Sequence, residues 1–101
     1  MWAQLVKGKL RPGAEAQLMS VNDRWEDEVG RGTDSGWLRT LSFRGSDDPN
    51  ELYMLVFFES EEKARVNERN PQHQEVAGQL SQFAEGPLEF VDLTPINDSS
   101  R

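Results

Sequence analysis

The most constraining feature of this sequence is an unbroken apolar run, Leu-Tyr-Met-Leu-Val-Phe-Phe, from Leu52 to Phe58. The run contains neither Gly nor Pro and lies between Glu51 and Glu59. A short run of this kind, rich in aromatic side chains, predicts a β-strand that is covered on both faces. Because side chains alternate along a strand, Leu52, Met54, Val56 and Phe58 share one face, while Tyr53, Leu55 and Phe57 share the other. The fold must therefore supply two separate covers for one sheet.

Length and composition limit how those covers can be built. The chain has 101 residues, 36% hydrophobic and 29% charged, which gives room for one domain with one core. No apolar run is long enough to span a bilayer, and the first residues lack the features of a secretory signal. The absence of Cys excludes disulfides and thiol chemistry and fits a reducing compartment. We therefore expect a cytoplasmic protein.

The charge distribution restricts the classes of partner. The formal net charge is −7, and the 11 Lys and Arg residues are spread along the chain without a basic block. Proteins that bind nucleic acids carry basic patches that neutralise phosphates, and such a patch is missing from the sequence. We therefore expect no nucleic-acid partner and no membrane partner.

Hydrophobic periodicity and turn residues predict six elements. Their order is strand, helix, strand, strand, helix, strand, over residues 2–10, 13–29, 37–44, 52–58, 60–84 and 88–93. Gly30 is predicted to end the first helix as a C-cap. Ser60 is predicted to cap the second helix, which should break at Asn70 because Pro71 disfavours helical geometry in the residue before it. Residues 94–101 are expected to form a flexible tail.

This order predicts an α+β protein with the ferredoxin-like split βαββαβ fold, in which an antiparallel sheet carries both helices on one face. We expect residues 1–93 to form this single domain. Exposing three or four side chains of the central strand would forfeit about 5–12 kcal/mol, because burial of each contributes about 1.5–3 kcal/mol. That loss is comparable with the whole stability of a domain, about 5–15 kcal/mol. We therefore expect a homodimer formed by sheet-on-sheet packing.

Two local motifs add a family resemblance. The junction after the central strand is an aromatic-Glu-Ser-acidic-acidic string, Phe58-Glu59-Ser60-Glu61-Glu62, and a turn Arg11-Pro12-Gly13 follows the first strand. With the element order, these motifs resemble the antibiotic biosynthesis monooxygenase (ABM) domain family of the dimeric α/β-barrel superfamily, over about residues 2–93. The resemblance implies a dimer with facing sheets and a cavity between sheet and helices in each subunit. Some members of that family oxidise polycyclic phenols with molecular oxygen and no cofactor, others degrade haem, and many have no assigned role.

The haem-degrading branch can be compared with this chain at two positions. Those members use a Trp in the second helix and a His further along it as iron ligand. Counting from Phe58, this chain places Asn67 and Val76 there, and its only His, His73, comes three residues early. The resemblance therefore does not extend to haem, and we expect neither a cofactor nor a metal.

Three residues are candidates for a catalytic site. His73 is the only side chain whose ordinary pKa lies near neutrality, so it is a natural general base, although it could equally be a surface residue among polar neighbours. Asn67 could hold a phenolate or carbonyl oxygen, or could simply face solvent. Trp37 opens a strand after a glycine-rich loop and could form the mouth of a pocket. The alternation predicts that Arg39, Leu41 and Phe43 share the face of Trp37.

The sequence leaves three functions open. The first is a cofactor-independent monooxygenase acting on an aromatic, phenolic polyketide-like or quinol substrate, with Trp37, Asn67 and His73 as anchoring and proton-handling residues. The second is a non-catalytic or stress-associated module that binds a small ligand. The third is a dimeric interaction domain without a cavity. A cavity lined by aromatic groups and one or two polar side chains would favour the first two.

Overall fold

The computed structural model of this protein describes residues 1–32 and 34–101. The helices are α1, Glu15–Trp25, α2, Glu61–Glu68, and α3, Pro71–Gly78, and the strands are β1, Trp2–Lys9, β2, Trp37–Arg44, β3, Glu51–Phe58, and β4, Glu89–Leu93. A π-helical turn, Glu26–Gly30, extends α1, and a 3₁₀ turn, Gln79–Phe83, extends α3. No helix in the described part of the chain has both the length and the apolar character needed to cross a membrane.

The four strands form one antiparallel sheet in the order β2-β3-β1-β4. β1 lies beside β3 and β4, which are distant from it in sequence, whereas β2 and β3 form a hairpin. This is the ferredoxin-like α+β fold, so the predicted fold class is confirmed. The apolar run of β3 lies inside the sheet, where strands on both sides satisfy its backbone.

The helices cover one face of the sheet. Leu18 of α1 is fully buried in a cluster with Val6, Leu10, Leu52 and Met54. A second cluster lies nearer the other end of the sheet and contains Trp2, Trp25, Val29, Phe58, Ala64 and the fully buried Val76. The predicted alternation in β3 is therefore confirmed, since Leu52, Met54 and Phe58 all point to the helices.

The other face of the sheet carries the alternate residues of each strand. Tyr53, Leu55 and Phe57 of β3 are only half-buried there, although β3 is an inner strand. Phe43 of β2 is 51% exposed. None of the helices that the structure describes packs on this face. We call it the open face of the sheet.

The predicted alternation in β2 is wrong at its first residue. The pairing of β2 with β3 shifts by one residue between Trp37 and Arg39. Such a bulge inserts an extra residue, so side chains before and after it no longer alternate in step. Trp37 therefore lies on the helix side, against Trp25, while Arg39 pairs with Phe57 on the open face.

Gly30 also differs from its predicted role. It ends the π-helical turn, but it does not adopt the positive φ of a glycine C-cap. A Cβ atom at this position would lie 2.9 Å from the Trp25 ring and 3.0 Å from the Trp37 ring. Gly30 is therefore required for the close approach of two indoles rather than for a left-handed turn.

The predicted break in the second helix is confirmed. Ser60 caps α2, where its Oγ accepts a hydrogen bond from Lys63 N at 3.2 Å. Asn70 has extended backbone geometry and caps α3, where its Oδ1 accepts from Gln72 N at 2.9 Å, with Pro71 as the first helical residue. The break turns α3 so that Val76 and His73 face the sheet and α1. Residues 94–101 are exposed and contain neither helix nor strand.

Candidate functional site

A cavity of about 100 Å³ lies between the helices and the sheet. Its apolar wall is formed by both clusters of the core and by β4, through Val6, Val21, Trp25, Met54, Val56, Phe58, Val76, Ala77, Leu80 and Phe90. Its polar residues are Gln4, Asn22, Thr40 and His73. Among the residues with described placement, His73 is the only ionisable one in the lining. The cavity is therefore an apolar, mainly uncharged space with a few hydrogen-bonding groups.

The cavity continues into a wider groove of about 780 Å³ beside α2, α3 and β4. Gln4, His73, Ala77 and Phe90 line both spaces, so they form the neck between them. Phe90 is 57% exposed. The exposed Phe90 places this side of the cavity near solvent.

His73 is held by an aromatic side chain from another helix. Trp25 Nε1 donates a hydrogen bond to His73 Nδ1 at 2.8 Å, and the two rings meet edge to face with centroids 5.9 Å apart. Burial lowers the pKa of His73 from its ordinary value, and the carboxylate of Glu68 offsets this only in part. His73 is therefore a half-buried imidazole whose neutral form is favoured, and not a solvated surface histidine.

Trp25 is the centre of the aromatic wall. Besides His73, it meets Trp37 edge to face at 5.9 Å and Phe58 edge to face at 6.4 Å. Edge-to-face pairs are favoured because the positive ring edge meets the negative ring face. Gly30 leaves room for Trp25 and Trp37 to approach. Trp25 thus combines a position in the core with a direct contact to His73.

Trp37 lies behind the cavity wall and outside its lining. Its ring packs on Trp25, and its Nε1 donates to Thr40 Oγ1 at 2.9 Å. The guanidinium of Arg31 lies 5.6 Å from the centroid of the Trp37 ring on the outer side. Trp37 therefore supports two lining residues, Trp25 and Thr40, from behind.

Asn67 is buried, with 6% of its surface exposed, and lies away from the cavity lining. Its Nδ2 donates a hydrogen bond to the carbonyl oxygen of Ser35, and Ser35 Oγ donates to the carbonyl oxygen of Gly30. These bonds tie α2 to the segment that precedes β2. The structure thus brings His73 and Trp37 to the two sides of Trp25, whereas Asn67 holds the scaffold beside them.

Sequence reasoning missed three polar residues of the lining, Gln4, Asn22 and Thr40. Gln4 lies on the same face of β1 as Trp2 and Val6, so its position in the alternation was the available signal. Asn22 directly follows Val21, which packs against the core, so its position beside an apolar residue of α1 was the available signal. The position of Thr40 depends on the β2 bulge, which no residue pattern indicated.

Charged residues at the rim of the groove are paired with one another. Arg65 bonds to both Asp92 and Glu68, and its guanidinium lies 5.1 Å from the centroid of the Trp2 ring. Hydrogen bonds from Arg65 and Gln4 lower the pKa of Asp92. Across the placed residues, no group of three or more His, Asp or Glu side chains could hold a metal ion. The ion pairs therefore hold the charged side chains at the rim in defined positions.

By sequence, the chain matches no family model and no curated protein. Its structure, in contrast, is similar to many solved structures. One is an asparagine-to-alanine variant of SnoaB, described as a cofactor-independent oxygenase from Streptomyces nogalater, with a TM-score of 0.81, 18% identity and coverage of 96% of this chain and 94% of that one.

Another is Rv0793 from Mycobacterium tuberculosis, with a TM-score of 0.77, 17% identity and 98% coverage of both chains. A third, described as an antibiotic biosynthesis monooxygenase, has a TM-score of 0.74 and 8% identity, with coverage of 96% of this chain and 100% of that one. At these identities the likeness concerns the fold. The chain therefore has the fold of the antibiotic biosynthesis monooxygenase-like proteins, as the sequence motifs predicted.

Proposed function

We propose that this chain is a homodimer whose cavity binds a small aromatic ligand, and that it acts as a cofactor-independent monooxygenase on a phenolic, polyketide-like or quinol substrate. The observation that carries the proposal is the cavity between helices and sheet, where Trp25 and Phe58 provide an aromatic wall and His73 a polar contact at the neck. The likeness in fold to SnoaB, described as a cofactor-independent oxygenase, supports the reaction class.

The sizes of the two spaces define how a ligand would sit. Ligand sites usually enclose about 300–1,000 Å³, which is more than the inner cavity of about 100 Å³ provides. The groove beyond His73 and Phe90 adds about 780 Å³. A fused-ring ligand would therefore place one ring against Trp25 and extend its other rings past the neck into the groove.

The chemistry of such a substrate requires little from the protein. In an anthrone, the electron-rich ring system reacts with O₂ at its CH₂ carbon. One oxygen atom becomes the new carbonyl oxygen, and the other leaves as water with the two hydrogens of that carbon. The substrate supplies all the electrons, so no external reductant is needed. The protein would contribute a dry aromatic pocket and hydrogen bonds that orient the ring oxygens.

The three predicted site residues have distinct roles in this proposal. His73 contacts the ligand at the neck, where it lines both spaces. Trp37 supports the wall through Trp25 and orients the Thr40 hydroxyl. Asn67 fixes the segment that leads into β2 by its bond to Ser35. We therefore expect loss of His73 to affect ligand binding directly, and loss of Asn67 to affect it through the position of β2.

Oxygen uptake with a panel of anthrones and hydroquinones tests the enzymatic proposal. Ala77→Leu adds bulk at the neck and should abolish uptake and ligand binding, because Ala77 lines both the cavity and the groove. The control is Ala16→Leu, the same change on an exposed position of α1, which should leave both unchanged. Equal effects of the two substitutions would contradict a ligand in this cavity.

Dimer formation is tested by light scattering on a size-exclusion column. Leu55→Lys places a charge on the open face and should convert the dimer to a monomer. Val66→Lys introduces the same charged residue at an exposed position of α2 and should leave the dimer intact. A wild-type monomer at micromolar concentration would refute the dimer, and dissociation by Val66→Lys alone would place the interface elsewhere.

A second candidate function is a non-catalytic binding module. It is favoured by the absence of any Asp or Glu among the placed lining residues of the cavity, which leaves no carboxylate to take a proton from the substrate. Binding of anthrones and hydroquinones without oxygen uptake, and without oxidised product, would identify this function.

A further inference from the structure

The hydrogen bond between Trp25 and His73 fixes the position of the imidazole proton. An indole nitrogen carries a hydrogen and can only donate, so the nitrogen that it meets must accept. Trp25 Nε1 lies 2.8 Å from His73 Nδ1. A neutral imidazole has one acceptor nitrogen and one N–H, and therefore the hydrogen of His73 resides on Nε2.

The surroundings of His73 keep it in this neutral form. Half-burial lowers its pKa, and the acid facing it, Glu68, raises that pKa only in part. Glu68 is itself paired with Arg65, and the nearby Glu75 of α3 is paired with Arg24 of α1. Protonation of Nδ1 would also set one N–H against another, since Trp25 cannot accept a hydrogen bond through its nitrogen.

We propose that His73 serves as a fixed hydrogen-bond donor, through Nε2–H, to a carbonyl or phenolate oxygen of the aromatic ligand, with Trp25 as its positioning residue. The inference rests on the proposed function and names the ligand group that this site recognises. The lone pair of Nδ1 accepts from Trp25 and Nε2 carries the hydrogen, so neither nitrogen has a free lone pair for a substrate proton. His73 thus differs from the general base that its ordinary pKa suggested.

A second indole likewise fills an acceptor site of a lining residue on another wall of the cavity and leaves a hydrogen-bond donor there. Trp37 Nε1 donates to Thr40 Oγ1, which leaves the hydroxyl hydrogen of Thr40 free to donate. Both His73 and Thr40 line the cavity, and each has an acceptor site filled by a tryptophan. These two lining groups therefore favour ligands whose oxygens accept hydrogen bonds.

The tautomer can be measured directly because this chain contains a single His. A long-range ¹H–¹⁵N NMR spectrum near pH 7.5 should show one protonated and one unprotonated ring nitrogen, with the correlation pattern of the Nε2–H tautomer. Trp25→Phe should give a tautomer mixture, whereas Trp2→Phe, which removes an indole from the same cluster, should not. The Nδ1–H pattern in the wild-type protein, or an unchanged tautomer in Trp25→Phe, would overturn the inference.

Ligand binding provides the second test, with 1-tetralone and tetralin as probes that differ only by a carbonyl group. Wild-type protein should bind 1-tetralone about tenfold more tightly than tetralin, the effect expected of one hydrogen bond. His73→Gln keeps an N–H donor and should preserve the preference, while His73→Phe should lose it. Tetralin and tetralone binding equally well to wild-type protein would overturn the inference. Failure of both probes to bind would instead overturn the proposed function.

Discussion

The two faces of the single sheet are built from alternate residues of the same strands, yet they differ sharply in how they are covered. On the helix face, Leu18 and Val76 are completely buried, and Leu52 and Met54 lie beneath them. On the open face, Leu55 and Phe57 are half-buried although they belong to the same inner strand. The helices of one chain therefore bury one face of the central strand and leave the apolar side chains of its other face partly exposed.

The cavity and the surface available for association lie on opposite faces of the sheet. The described residues that line the cavity lie on the helix face of the sheet, on α1, on α3 or on the 3₁₀ turn, so they all belong to one chain. The open face carries apolar residues with Arg39 and Phe43 toward its β2 edge. Mutations on the helix face should therefore change stability and ligand binding, whereas mutations on the open face should change association.

The largest difference between the faces should appear on truncation of a leucine. Leu18→Ala removes a fully buried side chain and should lower the free energy of unfolding by about 2–5 kcal/mol, since lost burial and a cavity both contribute. Leu55→Ala on the open face should cost less in dilute protein, and its cost should rise with protein concentration as the proposed dimer forms. Urea unfolding at two protein concentrations measures both.

Equal and concentration-independent losses of unfolding free energy from these two substitutions would contradict the difference between the two faces. They would mean that the open face is already covered within one chain.

Substitutions at two glycines, Gly30 and Gly78, test how tightly the helix face is packed. Gly30→Ala forces a Cβ to within 2.9 Å of Trp25 and should destabilise the fold by about 1–3 kcal/mol, as overpacking does. Gly78→Ala in α3 meets no atom within 4 Å and should stabilise the helix by up to about 1 kcal/mol. Thermal unfolding compares the two. A tolerated Ala at position 30 would contradict the tight packing of Trp25 and Trp37.

A smaller effect is expected at the hydroxyl that receives the Trp37 hydrogen bond. Thr40→Val keeps the shape of the side chain but leaves the Trp37 N–H without its acceptor, which should cost about 1 kcal/mol. Thr40→Ser restores the hydroxyl and should recover most of that loss. If Ser and Val behave alike in urea unfolding, the hydrogen bond contributes nothing.

The fold was predictable because its signals are local. The alternation in β3 assigned each residue to its face, and Ser60, Asn70 and Pro71 marked helix starts that the structure contains. The β2 bulge was not predictable, because a register shift depends on how β3 pairs with it and not on β2 alone. Contrary to the simple alternation, Trp37 therefore lies on the helix side of the sheet and does not share a face with Arg39.

The site was less predictable than the fold because its contacts connect distant segments. His73 was a candidate from its ordinary pKa, but its partner Trp25 lies 48 residues away, and no local pattern links the two residues. Asn67 was a candidate ligand contact, whereas its amide bonds to Ser35 in the scaffold.

The smallest expected effect is a pH dependence of the stability, caused by His73 on the helix face. The folded state holds the pKa of His73 below its ordinary value of about 6.5, so the unfolded chain binds more protons in the acidic range. The stability associated with neutral His73 is therefore complete above about pH 6.5 and is lost as the pH falls from there through the lower folded pKa. In His73→Gln this part of the dependence should vanish, while carboxylates such as Asp92, whose pKa is also lowered, still titrate at more acidic pH. Urea unfolding of both proteins between pH 7.5 and pH 5 measures the difference. An identical pH dependence would mean that His73 titrates alike in both states and that Trp25 does not hold its neutral form.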